Sequence, residues 1–220
     1  EVMTKEKKPI LLAKDLSISF GGLKALDNFS LELRPKELVG LIGPNGAGKT
    51  TVFNVLTGVY EATSGTYSFA NQMIKNIKTY ELVQMGLART FQNIRLFNSL
   101  TVIENVMIPH NFLQKYGFLQ GAFRMKNYWQ EENELFEKSI ELLKIFDLDK
   151  YYDSQAGNLS YGQQRKLEIA RAMATGPKVL LLDEPAAGMN PNETKELMDT
   201  IRFIRDEYGL AILLIEHDMS

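Results

Sequence analysis

Apolar Phe29, Leu31 and Leu33 alternate with polar Ser30, Glu32 and Arg34, the period of a half-buried strand. Ile10 to Phe20 reads as another strand closed by Gly21-Gly22, so the chain opens with a small antiparallel β layer. Other stretches are continuously apolar. Leu38, Val39, Leu41 and Ile42 predict a buried strand, and Val179 to Leu182 and Ala211 to Ile215 predict strands covered on both faces. The last two are joined by a helix whose buried side carries Leu197, Ile201 and Ile204, ended by Gly209. Its start is written as Asn190 (cap), Pro191 (first helical position) and Glu193 (reciprocal partner). A strand–helix–strand unit of this kind makes a parallel sheet.

Between these runs the period changes to that of helices. Thr79 to Met85 is helical up to Gly86, and Thr101 with Glu104 has capping-box spacing. Glu131 to Leu148 places Leu135, Phe136, Ile140, Leu143 and Phe146 on one stripe, opposite Glu134, Glu137, Lys138 and Glu141. The acidic polar side makes that stripe core, not a membrane-surface face. A further helix runs from about Gln164 to Ala174, with Ser160 a natural cap upstream and Gly176-Pro177 closing it. Thr66 to Phe69 is a short strand. His110 to Tyr128 is rich in aromatics and reads as an insertion, either a partner-docking surface or local packing.

The chemistry concentrates at the ends of the apolar runs. Gly43-Pro44-Asn45-Gly46-Ala47-Gly48-Lys49-Thr50 matches G-x-x-x-x-G-K-[ST], after a strand and before a helical stretch from Thr51 to Thr57. The glycines let successive N–H groups curl around phosphate oxygens, and the helix N-terminus adds positive potential. Lys49 suits the outer phosphates, and the Thr50 hydroxyl suits Mg²⁺. Asp183 and Glu184 follow a doubly buried strand, where open α/β sheets put their ligands. Asp183 can hold Mg²⁺ through water, and Glu184 can take a proton from an attacking water. Phe20, before a tight turn, is either an adenine-stacking aromatic or a rim-of-core residue. Leu159-Ser160-Tyr161-Gly162-Gln163 is a capped helix start whose glycine permits close approach, Gln92 alone is a weak signal, and His217 follows the last strand.

Composition narrows the rest. The chain has 220 residues, 45% of them hydrophobic, enough for one large domain or two lobes with a real core. A net charge of −2 argues against a general nucleic-acid surface. With no cysteine, disulfides and thiol chemistry are excluded, and no apolar run reaches the roughly 18 residues of a membrane span. Met3 is the expected natural start, and the end at Ser220, just after a strand, is expected to be a truncation.

Taken in order, the phosphate loop, Gln92, Leu159 to Gln163, Val179 to Glu184 and His217 resemble the Walker A, Q-loop, signature, Walker B and switch histidine of ABC transporter nucleotide-binding domains. Phe20 to Leu26, Ala88 to Gln92 and Pro185 to Pro191 are similar to the ATP-binding subunits of bacterial branched-chain amino-acid importers. The resemblance implies an α/β phosphate-loop ATPase with a mixed or parallel sheet core, an N-terminal antiparallel β layer and an inserted helical lobe. It implies a single ATP-binding domain, with a RecA-like core over about 1–92 and 176–220 and the lobe over about 93–175. It further implies ATP and Mg²⁺ as ligands and two cassettes, alike or different, packed head to tail. Each ATP then lies between one phosphate loop (Gly43 to Thr51) and the partner's Leu159, Ser160, Tyr161, Gly162 and Gln163.

In that family Gln92 senses Mg²⁺ and the γ-phosphate and links the lobe to membrane subunits. His217 contacts the γ-phosphate, and Phe20 stacks on adenine. Integral-membrane permease subunits and, indirectly, a solute-binding protein are the implied partners, at the cytoplasmic face of the membrane and without nucleic acid. The alternative, a non-transport cassette acting on nucleic acid or the ribosome, would carry a coiled-coil insertion or a second cassette, and this sequence has neither. Two positions depart from the wider family: Tyr161 stands where glycine is usual, and Asn190 where an aspartate often reaches the opposite subunit.

Overall fold

Residues 8–113 and 128–216 are described by the structure, a computed structural model. The strands in chain order are β1 (Leu11–Phe20), β2 (Leu23–Leu33), β3 (Leu38–Ile42), β4 (Ser64–Phe69), β5 (Gln72–Met73), β6 (Leu87–Arg89), β7 (Val179–Asp183) and β8 (Ala211–Glu216). The helices are α1 (Lys49–Leu56), α2 (Thr79–Met85), α3 (Val102–Leu113), α4 (Tyr128–Ile145), α5 (Tyr161–Met173) and α6 (Pro191–Tyr208). They fall into two units. One comprises Glu1–Arg89, Pro177–Glu184 and Ile201–Ser220, the other Thr90–Gly176 and Pro185–Thr200.

The first unit holds both sheets. An antiparallel sheet has the order β2-β1-β4-β5, and a parallel sheet the order β3-β8-β7-β6. The β1–β2 hairpin turns tightly enough to pair Phe20 with Leu23. Phe53 and Leu56 of α1, Leu11, Leu33 and Phe69 of the antiparallel sheet, and Leu181 and Leu213 of the parallel sheet belong to one apolar cluster. Burying Phe53 alone contributes about 1.5–3 kcal/mol.

Strand β7 carries four residues with no exposed surface, Val179 to Leu182, because β8 and β6 flank it and both faces are covered. The expectation of a buried β3 needs correction. It lies at the sheet edge, its residues are half-buried or exposed, and Ile42 keeps 49% of its surface. β6 was not foreseen: three residues paired with β7 are too few to show a period.

The second unit is helical, with α3 packed against α4 and α5. Val102, Val106, Leu143, Phe146, Leu148 and Leu159 are buried in it. α4 ends at Ile145, short of the expected Leu148, so the stripe is deepest at Leu143 and at Phe146 in the turn just beyond the helix; Leu135, Phe136 and Ile140 are half-buried. The capping boxes have the expected partners. Thr101 N–H donates to Glu104 Oε2 at 2.7 Å, and Asn190 N–H donates to Glu193 Oε2 at 3.0 Å while Asn190 Oδ1 accepts from Glu193 N–H. α5 begins earlier than the expected Gln164. Ser160 Oγ accepts from Gln163 N–H and Gln163 Oε1 accepts from Ser160 N–H, so the first turn forms at Tyr161. Most of the aromatic-rich stretch, 114–127, lies outside the described residues.

Candidate active site

In the first unit, β3 delivers the chain into the loop Gly43 to Gly48, and α1 starts at Lys49. Glycine is required at position 48: φ is +84°, and a Cβ there would stand 2.6 Å from the Ala25 carbonyl oxygen. Gly46 is also left-handed, with open space where its Cβ would be. Pro44, Asn45, Gly46 and Ala47 are exposed, whereas Lys49 is buried, with 7% of its surface accessible. Its ammonium donates to the carbonyls of Gly43 and Pro44, the latter at 3.0 Å. Thr50 is exposed on the first turn of α1, and Thr51 half-buried. A cradle of open glycine backbone around an ammonium, at a helix N-terminus, fits a polyphosphate.

Parallel register sets which residues share the edge of the sheet beside that loop. Ile42 pairs with Glu216, and Asp183 pairs with Ile215, so the phosphate loop and Glu184 leave the sheet at the same ends of their strands. Asp183 is 2% exposed and forms an ion pair with Arg89 at 3.0 Å. Arg89 also donates to Asn54 Oδ1 at 2.7 Å and sits over the Phe53 ring, tying the end of β7 to α1. Removing one partner of such a buried pair costs about 3–5 kcal/mol.

Glu184 is buried and has φ of +48°, a conformation that costs a non-glycine residue about 1 kcal/mol and marks sites where a side chain is aimed. Its N–H donates to Ile215 O at 3.1 Å, which holds that turn. Phe20 ends β1 with 46% of its surface exposed, edge-on to Tyr60 with ring centroids 5.1 Å apart. His217 lies outside the described residues.

In the second unit Gln92 is exposed, within a stretch, residues 90–99, that has no helix or strand. Its backbone is held by side chains instead. Arg165 donates to the carbonyls of Phe91 (2.7 Å) and Gln92, and Glu168 Oε1 accepts from the N–H groups of Phe91 and Arg95. Asn105 accepts from Phe97 N–H at 3.0 Å and donates to Phe97 O. Burial pushes the Glu168 carboxyl above the usual range, against the pull of Arg165 and the two backbone N–H donors.

In the segment that resembles the signature, Leu159 is buried, Ser160 and Tyr161 are exposed, and Gly162 and Gln163 are half-buried. A Cβ on Gly162 would lie 3.5 Å from Glu193, an ordinary contact. The close approach this glycine permits is therefore not made within its own unit. Arg89, Arg165, Glu168 and Asn105 were not foreseen. The only trace in the sequence is the charged pair three residues apart on α5, set among Leu167, Ile169 and Ala170.

The family model for ABC transporters matches residues 26–187. The chain belongs to the ABC transporter family. This ABC transporter chain is 46% identical over 213 residues to the high-affinity branched-chain amino acid transport ATP-binding protein LivG of Escherichia coli strain K12, covering 97% of the chain and 84% of LivG. The ADP conformation of MJ1267, an ATP-binding cassette of an ABC transporter, has a TM-score of 0.83 and 34% identity over 97% of this chain and 83% of that one. The dimeric post-hydrolysis state of the cassette MJ0796, bound to ADP and Pi, has a TM-score of 0.77 and 25% identity, over 94% of this chain and 88% of that one. These neighbours are α/β cassettes, in accord with the α/β ATPase fold expected from the motifs.

Proposed function

We propose that this chain is the ATP-hydrolysing subunit of an importer for branched-chain or related hydrophobic amino acids. The observation that carries the reading is its 46% identity to LivG across nearly its whole length, with the phosphate loop and Glu184 at one edge of the parallel sheet. Gly43 to Thr51 cradle the triphosphate, and Lys49 exchanges its loop carbonyls for phosphate oxygens. Thr50 and Asp183 are the residues that would hold Mg²⁺. When bound, the ion would supply charge neutralisation to the phosphates.

Glu184 accepts a proton from the attacking water, Gln92 would sense the γ-phosphate and Mg²⁺, and His217 stabilises the transferring phosphoryl group. Phe20 stacks on adenine. Ser160, Tyr161, Gly162 and Gln163 of a second cassette, identical or related, close over the γ-phosphate, and the dimeric state of MJ0796 with ADP and Pi supports that pairing. No helix among the described residues is long and apolar enough to cross a membrane, so transport requires permease subunits, which would hold the chain at the cytoplasmic face.

Glu184→Gln is the test. The variant should bind ATP as tightly as the parent, lose turnover and accumulate as a closed dimer in light scattering. Full turnover would remove Glu184 from the role of base. Co-purification of the parent with an integral-membrane partner that transports leucine-like solutes tests the cargo.

A further inference from the structure

The stretch carrying Gln92 forms no sheet ladder or helix, and two charged side chains of α5 take up its peptide groups. Arg165 is 2% exposed, and its guanidinium meets four acceptors. Nη1 donates to Phe91 O at 2.7 Å and to Glu168 Oε2 at 3.1 Å; Nη2 donates to Gln92 O and to the Tyr161 hydroxyl at 3.2 Å. Glu168, also 2% exposed, takes the N–H groups of Phe91 and Arg95 at 3.4 Å each. Neutral packing of similar volume is often as stable as a buried ion pair, and Arg165 Nε has no hydrogen-bond partner among the described residues, so the bonds of the two Nη atoms are what this arginine offers over an apolar side chain. Two of its four bonds end on the loop, on consecutive carbonyls, and the other two on its own helix.

Tyr161, one of the two departures from the wider family, belongs to the same cluster. Its ring lies 5.6 Å from the Arg165 guanidinium carbon. The segment after Glu184 also comes close to it: a Cβ at Gly188 would come within 3.3 Å of Tyr161 Cε1, and φ there is +78°. One tyrosine thus fills the space where a side chain at position 188 would stand and bonds the arginine that holds the Gln92 carbonyl. A glycine at position 161 could make neither contact.

We propose that Arg165, flanked by Glu168 and Tyr161, is a positioning residue that locks the Phe91–Gln92 backbone to the first two turns of α5 and so fixes where the Gln92 side chain begins. Its effect on turnover rests on the reading of Gln92 given above; the anchoring itself does not. Tyr161 is a brace that sets the Arg165 plane and joins the segment around Gly188 to the first turn of α5.

The test is amide hydrogen exchange without nucleotide, alongside steady-state ATP hydrolysis, on the full chain carrying Arg165→Lys, Glu168→Gln or Tyr161→Phe. A lysine ammonium cannot span two carbonyls, a carboxylate and a phenol. Arg165→Lys should speed exchange at Phe91 and Arg95 about tenfold while β7 and β8 keep their protection. It should lower kcat about tenfold with KM for ATP unchanged, the pattern of a lost transition-state arrangement. Tyr161→Phe keeps the packing and loses the hydroxyl, so kcat should fall about threefold, again without a KM change.

Parent-like exchange at Phe91 and Arg95 in both Arg165→Lys and Glu168→Gln overturns the anchoring, as does a loss expressed in KM alone for the role in turnover. Should Arg165→Lys also lose the protection of β7 and β8, Glu168→Gln and Tyr161→Phe decide by the same criteria. A parent that hydrolyses no ATP would sink the ATPase reading, while the exchange comparison would still decide the anchoring.

Discussion

The phosphate loop and the Gln92 loop are both irregular, both short, and both proposed to meet the same triphosphate. They are held in place by opposite means. Gly43 to Gly48 keeps its shape through backbone: two left-handed glycines, the Ala47 N–H to Pro44 O bond, and α1 starting at once behind it. Residues 90–99 keep theirs through the side chains of α3 and α5, namely Asn105, Arg165 and Glu168. A loop shaped by its own backbone presents N–H groups at fixed positions, which suits a constant ligand. A loop shaped by another element's side chains moves when that element moves, which suits a residue that must report a change.

The comparison can be broken most sharply at Gly48. Gly48→Ala puts a Cβ against the Ala25 carbonyl in a left-handed conformation and should cost about 3 kcal/mol, with nucleotide binding lost. Urea unfolding and a fluorescent nucleotide titration check it. Normal ATP affinity in that variant would mean the loop is not backbone-determined. On the other side, Asn105→Ala strips a fully buried side chain from both peptide groups of Phe97. It should cost about 2 kcal/mol, read as faster exchange confined to residues 95–100 and leaving the phosphate loop unchanged.

Ser160→Ala removes the side-chain cap of α5 and should cost about 1 kcal/mol in thermal unfolding of the nucleotide-free chain. The smallest effect is in pH. Because burial raises the Glu168 carboxyl, the folded chain binds that proton more tightly than the unfolded chain does. The contribution is therefore fully present below the ordinary carboxylate value and is lost as pH rises through the raised one. The stability of the parent relative to Glu168→Gln should increase as pH falls from neutral toward the ordinary carboxylate value. An advantage that shrank with acid would show the carboxyl to be depressed instead.

What was legible was whatever is local. A left-handed glycine, a capping box such as Asn190 with Glu193, and an apolar run such as Val179 to Leu182 depend on neighbours within a few residues. Each left its pattern in the chain and appears in the structure. The errors were non-local. Leu38 to Ile42 is as apolar as Val179 to Leu182, yet one strand lies at an edge and the other between neighbours. Strand order is a property of the sheet, invisible to the composition of either strand.

By itself the sequence determined the phosphate loop, the paired acids after β7, the helix caps and the kinship with ABC transporters. All are carried by residue types at short, fixed spacings. Only the tertiary structure decided that Arg89 would close on Asp183, 94 positions away, and that Arg165 would take the carbonyls of Phe91 and Gln92 from 74 and 73 positions away. A buried guanidinium finds its acceptors in three dimensions, and the chain between leaves no periodic trace of which ones.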